Sequence, residues 1–457
     1  MNIRAIAAIA LCKLLRYISR ILHRGGTAMP GRWALKVCPD LLKRLSQNVR
    51  TVAVTGTNGK TTSSRMIEEA FSEAGLSYFS NRSGANLISG ITTEFVMNCT
   101  LLGKMKKEYA VIECDEAAAR KTFGDLRPQV IVVTNLFRDQ LDRYGEITHT
   151  LENIREGIRN VPDAVLCLNA DCSLTASLAD ELPNRCVFFG INAGATVSNS
   201  KPVISDAPHC IRCKTEYEYD YISYGHLGAF RCPKCGYKRR SADYAVAKVL
   251  SLRADSSSLL MNIKGREYNV EVNLPAMYNI YNAAGTVAAV TEMGLGTEIA
   301  VSALAGFECG FGRMERFALG SKGCRMMLVK NPAGCTQVME FLEKLDDEFE
   351  LVICLNDRGA DGTDISWIWD AEFEKLENMK DRIGKVIVSG DRASDMRIRI
   401  KYAGIDDSRI VLERSYEKLV TNLEGADKPV FIMPTYTAML ELRSVVVKHC
   451  GGKEFWE

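Results

Sequence analysis

Histidine is scarce in this chain: there are five in 457 residues, His23, His149, His209, His226 and His449, and none falls in a strand-end motif. The Gly-x-Cys-x-Gly elbow is also missing. The nearest match, "PAGCTQ" around Cys335, lacks its glycine spacing and has no evident histidine. Nothing here therefore reads as a His-activated nucleophile. A large excess of charge of one sign is missing as well. The net charge is +2, so no global field argues for nucleic acid or an anionic membrane as partner. Long uncharged runs are absent near the N-terminus, where Ala5 to Cys12 is too short to cross a bilayer. No small-residue cleavage site follows it, which argues against a signal peptide. The 16 cysteines are too dilute for a secreted disulfide scaffold. Most sit singly in apolar runs (Cys114, Cys167, Cys186, Cys354), as buried thiols do in a reducing cytosol. Neither an internal repeat nor a low-complexity tract is present.

What is there fits a soluble protein of roughly three domains. Residues 1–45 open with "MNIRAIAAIALCKLLRYISRILHRGG". Its apolar residues Ile3, Ile6, Ala10, Leu14, Tyr17, Ile18 and Ile21 recur at helical spacing beside basic residues. Two readings stand: an amphipathic helix lying on a membrane surface, or one packed on the protein's own body. Residues 46–316 alternate apolar runs ("TVAVTG", "YAVIEC", "QVIVVTN", "AVLCLN") with helical patterns, which predicts a mostly parallel α/β sheet. A Cys- and Tyr-containing insert at about 205–240 interrupts it. "SLLMNIKGREYNVEVNLPA" then predicts a strand pair, "MYNIYNAAGTVAAVTEMG" a helix, and "GFGRMERFALGSKG" a linker. From residue 317 onward the alternation restarts as a second, Rossmann-like α/β domain, 317–457.

"GTNGKTT", Gly56 to Thr62, is a short phosphate-binding loop between a strand and a helix. Gly56, Thr57, Asn58 and Gly59 turn backbone amides toward a phosphate, and the helix adds its positive end. Lys60 would reach the β- and γ-phosphates of ATP. Thr61, followed by Thr62, would ligate Mg²⁺, with the strand-end Glu113 as the carboxylate partner. In a doubly wound sheet ligands sit at the carboxyl ends of strands, where Gly56 and Glu113 both fall. Asn135 and Asp139, in "TNLFRDQLDRYGE", are offered to the same edge.

Cys210 and Cys213 make one CxxC pair, Cys232 and Cys235 another, with 18 residues between. Four thiolates predict a closed, structural Zn²⁺ site. The ribbon's arginines and lysines, with Tyr217, Tyr219, Tyr221 and Tyr224, allow a nucleic-acid or protein-binding module. The plainer reading is a zinc staple for an insert too small for its own core.

Taken together, "GTNGKTT", Glu113, "TNLFRDQLDRYGE", "LNADC" and "YNIYNAAG" resemble the central ATPase domain of the Mur ligases. The resemblance spans Val52 to Arg316, with the C-terminal α/β domain in its usual place. It implies Thr61 and Glu113 on Mg²⁺, Asn282 on adenine and Arg313 near phosphate. Two departures speak against an ordinary amino-acid-adding enzyme. A metal-binding histidine motif is replaced by Asp139-Gln140-Leu141-Asp142, and a C-terminal motif by "KNPAG", Lys330 to Gly334. The four-cysteine ribbon, "FRDQ", "KNPAG" and "DGTDISWIWD" are similar to the MurT family, the ligase-like subunits of lipid II isoglutaminyl synthases. That resemblance implies ATP-dependent amidation of the D-glutamate α-carboxylate of lipid II through an acyl-phosphate, in peptidoglycan synthesis. Ammonia would come from a GatD-like class I glutamine amidotransferase subunit. The enzyme would be cytoplasmic, with peripheral contact at the inner membrane surface. The alternatives are a stand-alone Mur-type amino-acid ligase and a zinc-ribbon binding module.

One cluster is left over. "LNDRGADGTDISWIWD" places Asp357, Asp361, Asp364 and Asp370 past the apolar run "LVICL". It reads as a second Mg²⁺ site, a solvated loop, or an acid lent in trans. The resemblance implies the third: Asp364 would complete the partner's Cys-His pair as a catalytic residue, with Trp367 and Trp369 as interface anchors.

Overall fold

The computed structural model describes residues 2–21, 28–81, 85–137, 146–192, 206–253, 255–308 and 313–450. Six strands come first: β1 (Arg50–Thr55), β2 (Tyr78–Ser80), β3 (Tyr109–Glu113), β4 (Val130–Val133), β5 (Val165–Asn169) and β6 (Cys186–Ile191). A hairpin follows, β7 (Glu218–Tyr224) and β8 (Leu227–Arg231), then β9 (Tyr244–Leu252), β10 (Ser257–Ile263) and β11 (Arg266–Val272). The last six are β12 (Arg313–Phe317), β13 (Cys324–Met327), β14 (Phe349–Cys354), β15 (Ile383–Ser389), β16 (Ile410–Leu412) and β17 (Val430–Pro434).

Nine strands form one sheet in the order β11-β10-β9-β6-β5-β4-β1-β3-β2. It is parallel from β2 to β9, and β10 and β11 add antiparallel at the edge. Its central strands are apolar throughout, as "VIVV" of β4 shows, because helices cover both faces. The helix Met277–Glu292 is one cover, with 13 of its 16 residues buried. Small residues let it approach: a Cβ on Gly285 would lie 3.2 Å from the Phe189 ring. The order of connection sets the site. β3 lies on one side of β1 and β4 on the other, so the chain reverses direction across β1. Val54 is level with Glu113, and Thr55 with Val133, so three loops open on one edge.

The second sheet has six strands in the order β12-β13-β17-β14-β15-β16, parallel except for β12. The stretch expected as a linker thus supplies an edge strand. It is fixed by a buried ion pair, Arg443 to Glu315 at 2.8 Å, a contact across 128 residues that local pattern does not reveal. One apolar cluster runs from the N-terminal helix through the first sheet to Cys335 and Phe341 on the second. The far face of the second sheet has its own core, including Met326, Val352 and Leu442.

Candidate functional site

The edge beside β1 gathers the phosphate loop. Gly56 and Gly59 have φ of +120° and +85°, conformations that favour glycine. A Cβ on Gly59 would lie 2.1 Å from Asn282 Oδ1, so Gly59 also leaves room for that side chain. The helix Lys60–Glu73 begins here, its first amides facing the loop. The loop is pinned from the next strand: Thr134 Oγ1 donates to Asn58 O at 2.8 Å, and Asn58 N donates to Asn135 Oδ1 at 3.0 Å. Thr57 Oγ1 both donates to and accepts from the backbone of Phe137, each at 3.1 Å.

The charged groups converge on the same spot. Lys60 Nζ donates to Gly56 O at 2.6 Å and pairs with Glu116 at 2.8 Å. The Thr61 hydroxyl donates to Glu113 Oε2 at 2.8 Å. Asn81 fixes the Glu113 backbone, accepting its N–H at 2.9 Å and donating to its carbonyl at 2.8 Å. A hydroxyl and a carboxylate side by side are hard oxygen donors of the kind Mg²⁺ takes, so this pair fits that ion. Asn282 is buried beside Gly59. Arg313 opens β12, but its side chain lies outside the described residues, as do Asp139, Gln140, Leu141 and Asp142.

The four ribbon thiols come together. Cys210, Cys213, Cys232 and Cys235 have sulfur atoms within 4.8 Å of one another, with contacts of 3.6 Å (Cys210 to Cys235) and 3.4 Å (Cys213 to Cys232). Sulfurs about 2.3 Å from a tetrahedral zinc would be spaced in this way, so the set fits Zn²⁺. The reading of the ribbon tyrosines as a stacking surface is overturned. Tyr217, Tyr221 and Tyr224 are buried, because they form the ribbon's own core and its seat on the sheet. Tyr217 packs on Phe230 and Tyr237, while Tyr224 stacks on Phe137. Three of its arginines are spoken for as well: Arg231 by Glu218 and Asp220, Arg239 by Asp171, and Arg240 by Asp180.

In the loop after β14 the aspartates part ways. Asp357 pairs with Arg392 at 2.9 Å. Asp361 is buried, accepting from the Thr437 amide at 2.7 Å and from its hydroxyl. Asp364 is exposed, and its Oδ1 accepts from Ser366 N at 2.8 Å and Ser366 Oγ at 2.6 Å. Those bonds hold its carboxyl below the usual carboxylate range. The two tryptophans do not act alike. Trp367 is 3% exposed and belongs to the core, which rules it out as an interface anchor; Trp369 is 52% exposed, edge-on to Tyr402.

Two family descriptions match the chain: Mur ligase middle domain over residues 54–230 and MurT ligase C-terminal over residues 328–439. The "Lipid II isoglutaminyl synthase (glutamine-hydrolyzing) subunit MurT" of Streptococcus pneumoniae is 34% identical over 447 residues, 98% of each chain. The chain belongs to the MurT family. The MurT subunit of Staphylococcus aureus is also 34% identical, over 94% of this chain and 95% of its own. Among solved structures, a pseudomurein peptide ligase type C from Methanothermus fervidus superposes with a TM-score of 0.65 at 21% identity. That match covers 90% of this chain and 81% of the other. MurF from Acinetobacter baumannii gives a TM-score of 0.66 at 15% identity, over 91% and 80%. These likenesses establish the Mur-ligase fold. Membership of the MurT family makes the chain a ligase subunit of a class that implies ATP and Mg²⁺.

Some residues of the site escape a reading of the sequence. Glu116 holds Lys60 from 56 residues away; its only signal is its place in the first turn after β3. Asn331, in "KNPAG", caps the helix Pro332–Glu343 by accepting from Gly334 N at 2.8 Å. Its Nδ2 donates to Asn58 Oδ1 at 3.1 Å, tying the second sheet to the phosphate loop. A Cys-His pair also exists: Cys172 Sγ lies 3.6 Å from His226 Nε2. Burial raises the thiol, yet contacts with His226 and with the backbone at Thr175 and Leu136 together outweigh it and leave Cys172 below the usual thiol range. Both side chains are walled in, at 0% and 1% exposure, so no substrate reaches this sulfur.

Proposed function

We propose that this chain is the ligase subunit of a lipid II isoglutaminyl synthase. It amidates the α-carboxylate of D-glutamate in the lipid II stem peptide, driven by ATP. Ammonia comes from a GatD-like class I glutaminase subunit. The observation that carries the reading is the meeting of Lys60, Thr61 and Glu113 where the sheet reverses direction, in a chain related to MurT subunits over its whole length.

In this reading the carboxylate oxygen attacks the γ-phosphorus, the bond to ADP breaks, and an acyl phosphate forms. Ammonia attacks its carbonyl carbon, phosphate departs with the C–O electron pair, and the nitrogen sheds a proton. The amides of Gly56 to Thr62 cradle the phosphates, and the Lys60 ammonium lies against the charge being transferred. Thr61 and Glu113 hold Mg²⁺, which offsets phosphate charge when bound. Asn282 meets the adenine, and Arg313 approaches a phosphate, both by resemblance to Mur ligases. Zn²⁺ on Cys210, Cys213, Cys232 and Cys235 is structural. Asp364 serves the partner: a glutaminase needs an acid to fix its histidine's tautomer and to stabilise the imidazolium. An exposed carboxylate held ionised by Ser366 suits that task. A lipid-linked substrate makes this a cytoplasmic enzyme working peripherally at the membrane face.

The test is purified chain with ATP, Mg²⁺ and lipid II, supplied with ammonium, with glutamine and partner, or with free amino acids. Mass spectrometry of the stem peptide reads the product. Amide formation with ammonium alone is expected. Addition of an amino acid would instead establish the stand-alone ligase.

A further inference from the structure

The helix Ile3–Ile21 is built inside out. Its buried face is made of small residues, Ala5, Ala8, Cys12 and Ser19, together with Ile9. Its large apolar residues point the other way: Leu14, Tyr17, Ile18 and Ile21, spaced i, i+3, i+4 and i+7, form one exposed stripe, Tyr17 at 65%. A helix that only covered its own protein would do the reverse, since burying large side chains is what stabilises packing. No helix among the described residues is long and apolar enough to cross a membrane.

Neighbouring elements continue the pattern. The helix Ala28–Val37 packs against this one and exposes Trp33 at 48%, beside Arg32 and Lys36. Lys13 Nζ donates to Cys99 O at 2.8 Å, which sets the Thr100–Lys104 turn alongside. That turn presents Leu101 and Leu102, the latter 72% exposed, followed by Lys104 and Lys106. Charge is equally one-sided. The first 39 residues hold seven Lys and Arg and no Asp or Glu. Since the whole chain is only +2, the remainder is net negative. Glu94 lies within the field of Arg16 and Arg20.

We infer that this helix pair and the Leu101–Leu102 turn form a docking face for an anionic phospholipid surface. The inference rests on the lipid-linked substrate of the proposed function and deepens it by naming the surface. An apolar stripe flanked by Lys and Arg is the composition of helices that lie in the membrane interface, and tryptophan and tyrosine favour that depth. A protein interface fits less well, because interface cores are depleted in lysine and charge.

The test uses the full chain with its partner subunit and vesicles of phosphatidylglycerol and phosphatidylcholine, or phosphatidylcholine alone. Wild type should sediment with the anionic vesicles at least tenfold more tightly, and salt should weaken it. Leu14→Glu with Ile18→Glu should cut that binding tenfold or more, without changing ammonium-driven amidation of detergent-dispersed lipid II. Trp33→Ala, a milder change at an exposed site, should cut it severalfold if the double variant misfolds. Absence of wild-type sedimentation, or equal sedimentation by both variants, overturns the inference. So does a double variant that keeps its vesicles but loses its partner subunit, because the face would then be a protein interface. If wild type fails on dispersed lipid II yet binds vesicles, the proposed function falls and the docking face stands.

Discussion

Each large sheet ends in an acidic turn, and the two turns treat their acids in opposite ways. After β3, Glu113 faces Thr61 while Glu116 holds the buried Lys60. Each of these groups meets its partner within the described residues of this chain. After β14, Asp357 and Asp361 are consumed by Arg392 and Thr437. Asp364 stays exposed, with the bonds to Ser366 falling on one of its oxygens. An acid paired beside a phosphate loop is positioned from within the chain. An exposed acid with its orientation already fixed is what one half of a shared centre requires.

The largest break in this comparison is at the first turn. Lys60→Ala or Thr61→Ala should lower amidation by roughly two to three orders of magnitude, as loss of a group facing developing charge does. The loss should appear with ammonium and with glutamine alike; wild-type turnover in either assay would sink the ligase reading. Glu113→Gln should raise the Mg²⁺ concentration needed for half-maximal rate, and an unchanged titration would place the metal elsewhere.

Asp364→Asn should separate the two ammonia sources. Glutamine-driven amidation should fall about a hundredfold, less than the roughly 10⁴ seen for a buried triad aspartate, because water competes at an exposed one. Ammonium-driven amidation and assembly with the partner should persist. A loss on Asp357→Asn or Asp361→Asn, with Asp364→Asn silent, would show that another aspartate acts. Silence at all three would make the cluster a solvated loop.

The ribbon joins the comparison because it braces the phosphate loop that the first turn faces. Asp171, fully buried, accepts from Arg239 at 2.6 Å and from the Tyr281 hydroxyl at 2.5 Å, and Tyr281 precedes Asn282. Phe137, bonded to Thr57, lies under Tyr224 of the hairpin. Cys232→Ser should abolish bound zinc and lower the melting temperature by several degrees or more, since metal affinity is folding free energy. Arg239→Met, which strands a buried carboxylate, should cost about 3–5 kcal/mol in denaturant unfolding. Zinc-free protein with unchanged melting would refute the staple.

What was legible in the sequence was local. A strand, Gly56, Gly59, Lys60 and Thr61 lie within one short stretch, and each CxxC pair within four residues, so spacing carries the chemistry. Glu113 was found because a strand end fixes which edge it meets. Long-range packing was not legible. Trp367 and Trp369 sit two apart in one short helical turn, and only the core above it decides which is buried. The ribbon tyrosines could as well have faced solvent as Phe137 and Tyr237. Cys172 and His226 are 54 residues apart and meet only because the hairpin folds back onto the turn after β5, where Gly228 N donates to Asp171 O.

The smallest effect tests whether the second sheet communicates with the phosphate loop. Asn331 begins the helix Pro332–Glu343 on the second sheet, and its Nδ2 reaches Asn58 in the phosphate loop at 3.1 Å. Asn58 is itself pinned by Thr134 and Asn135. A single neutral hydrogen bond contributes about 1 kcal/mol, so removing this one should weaken ATP binding by roughly fivefold. Asn331→Ala would also strip the helix cap, worth about another 1 kcal/mol of stability. Asn331→Asp separates the two terms: it keeps an acceptor for Gly334 N but offers no donor to Asn58. Its melting temperature should match wild type while its KM for ATP rises severalfold and kcat holds. If Asn331→Asp and wild type share one KM, the second sheet does not steady the phosphate loop through this bond.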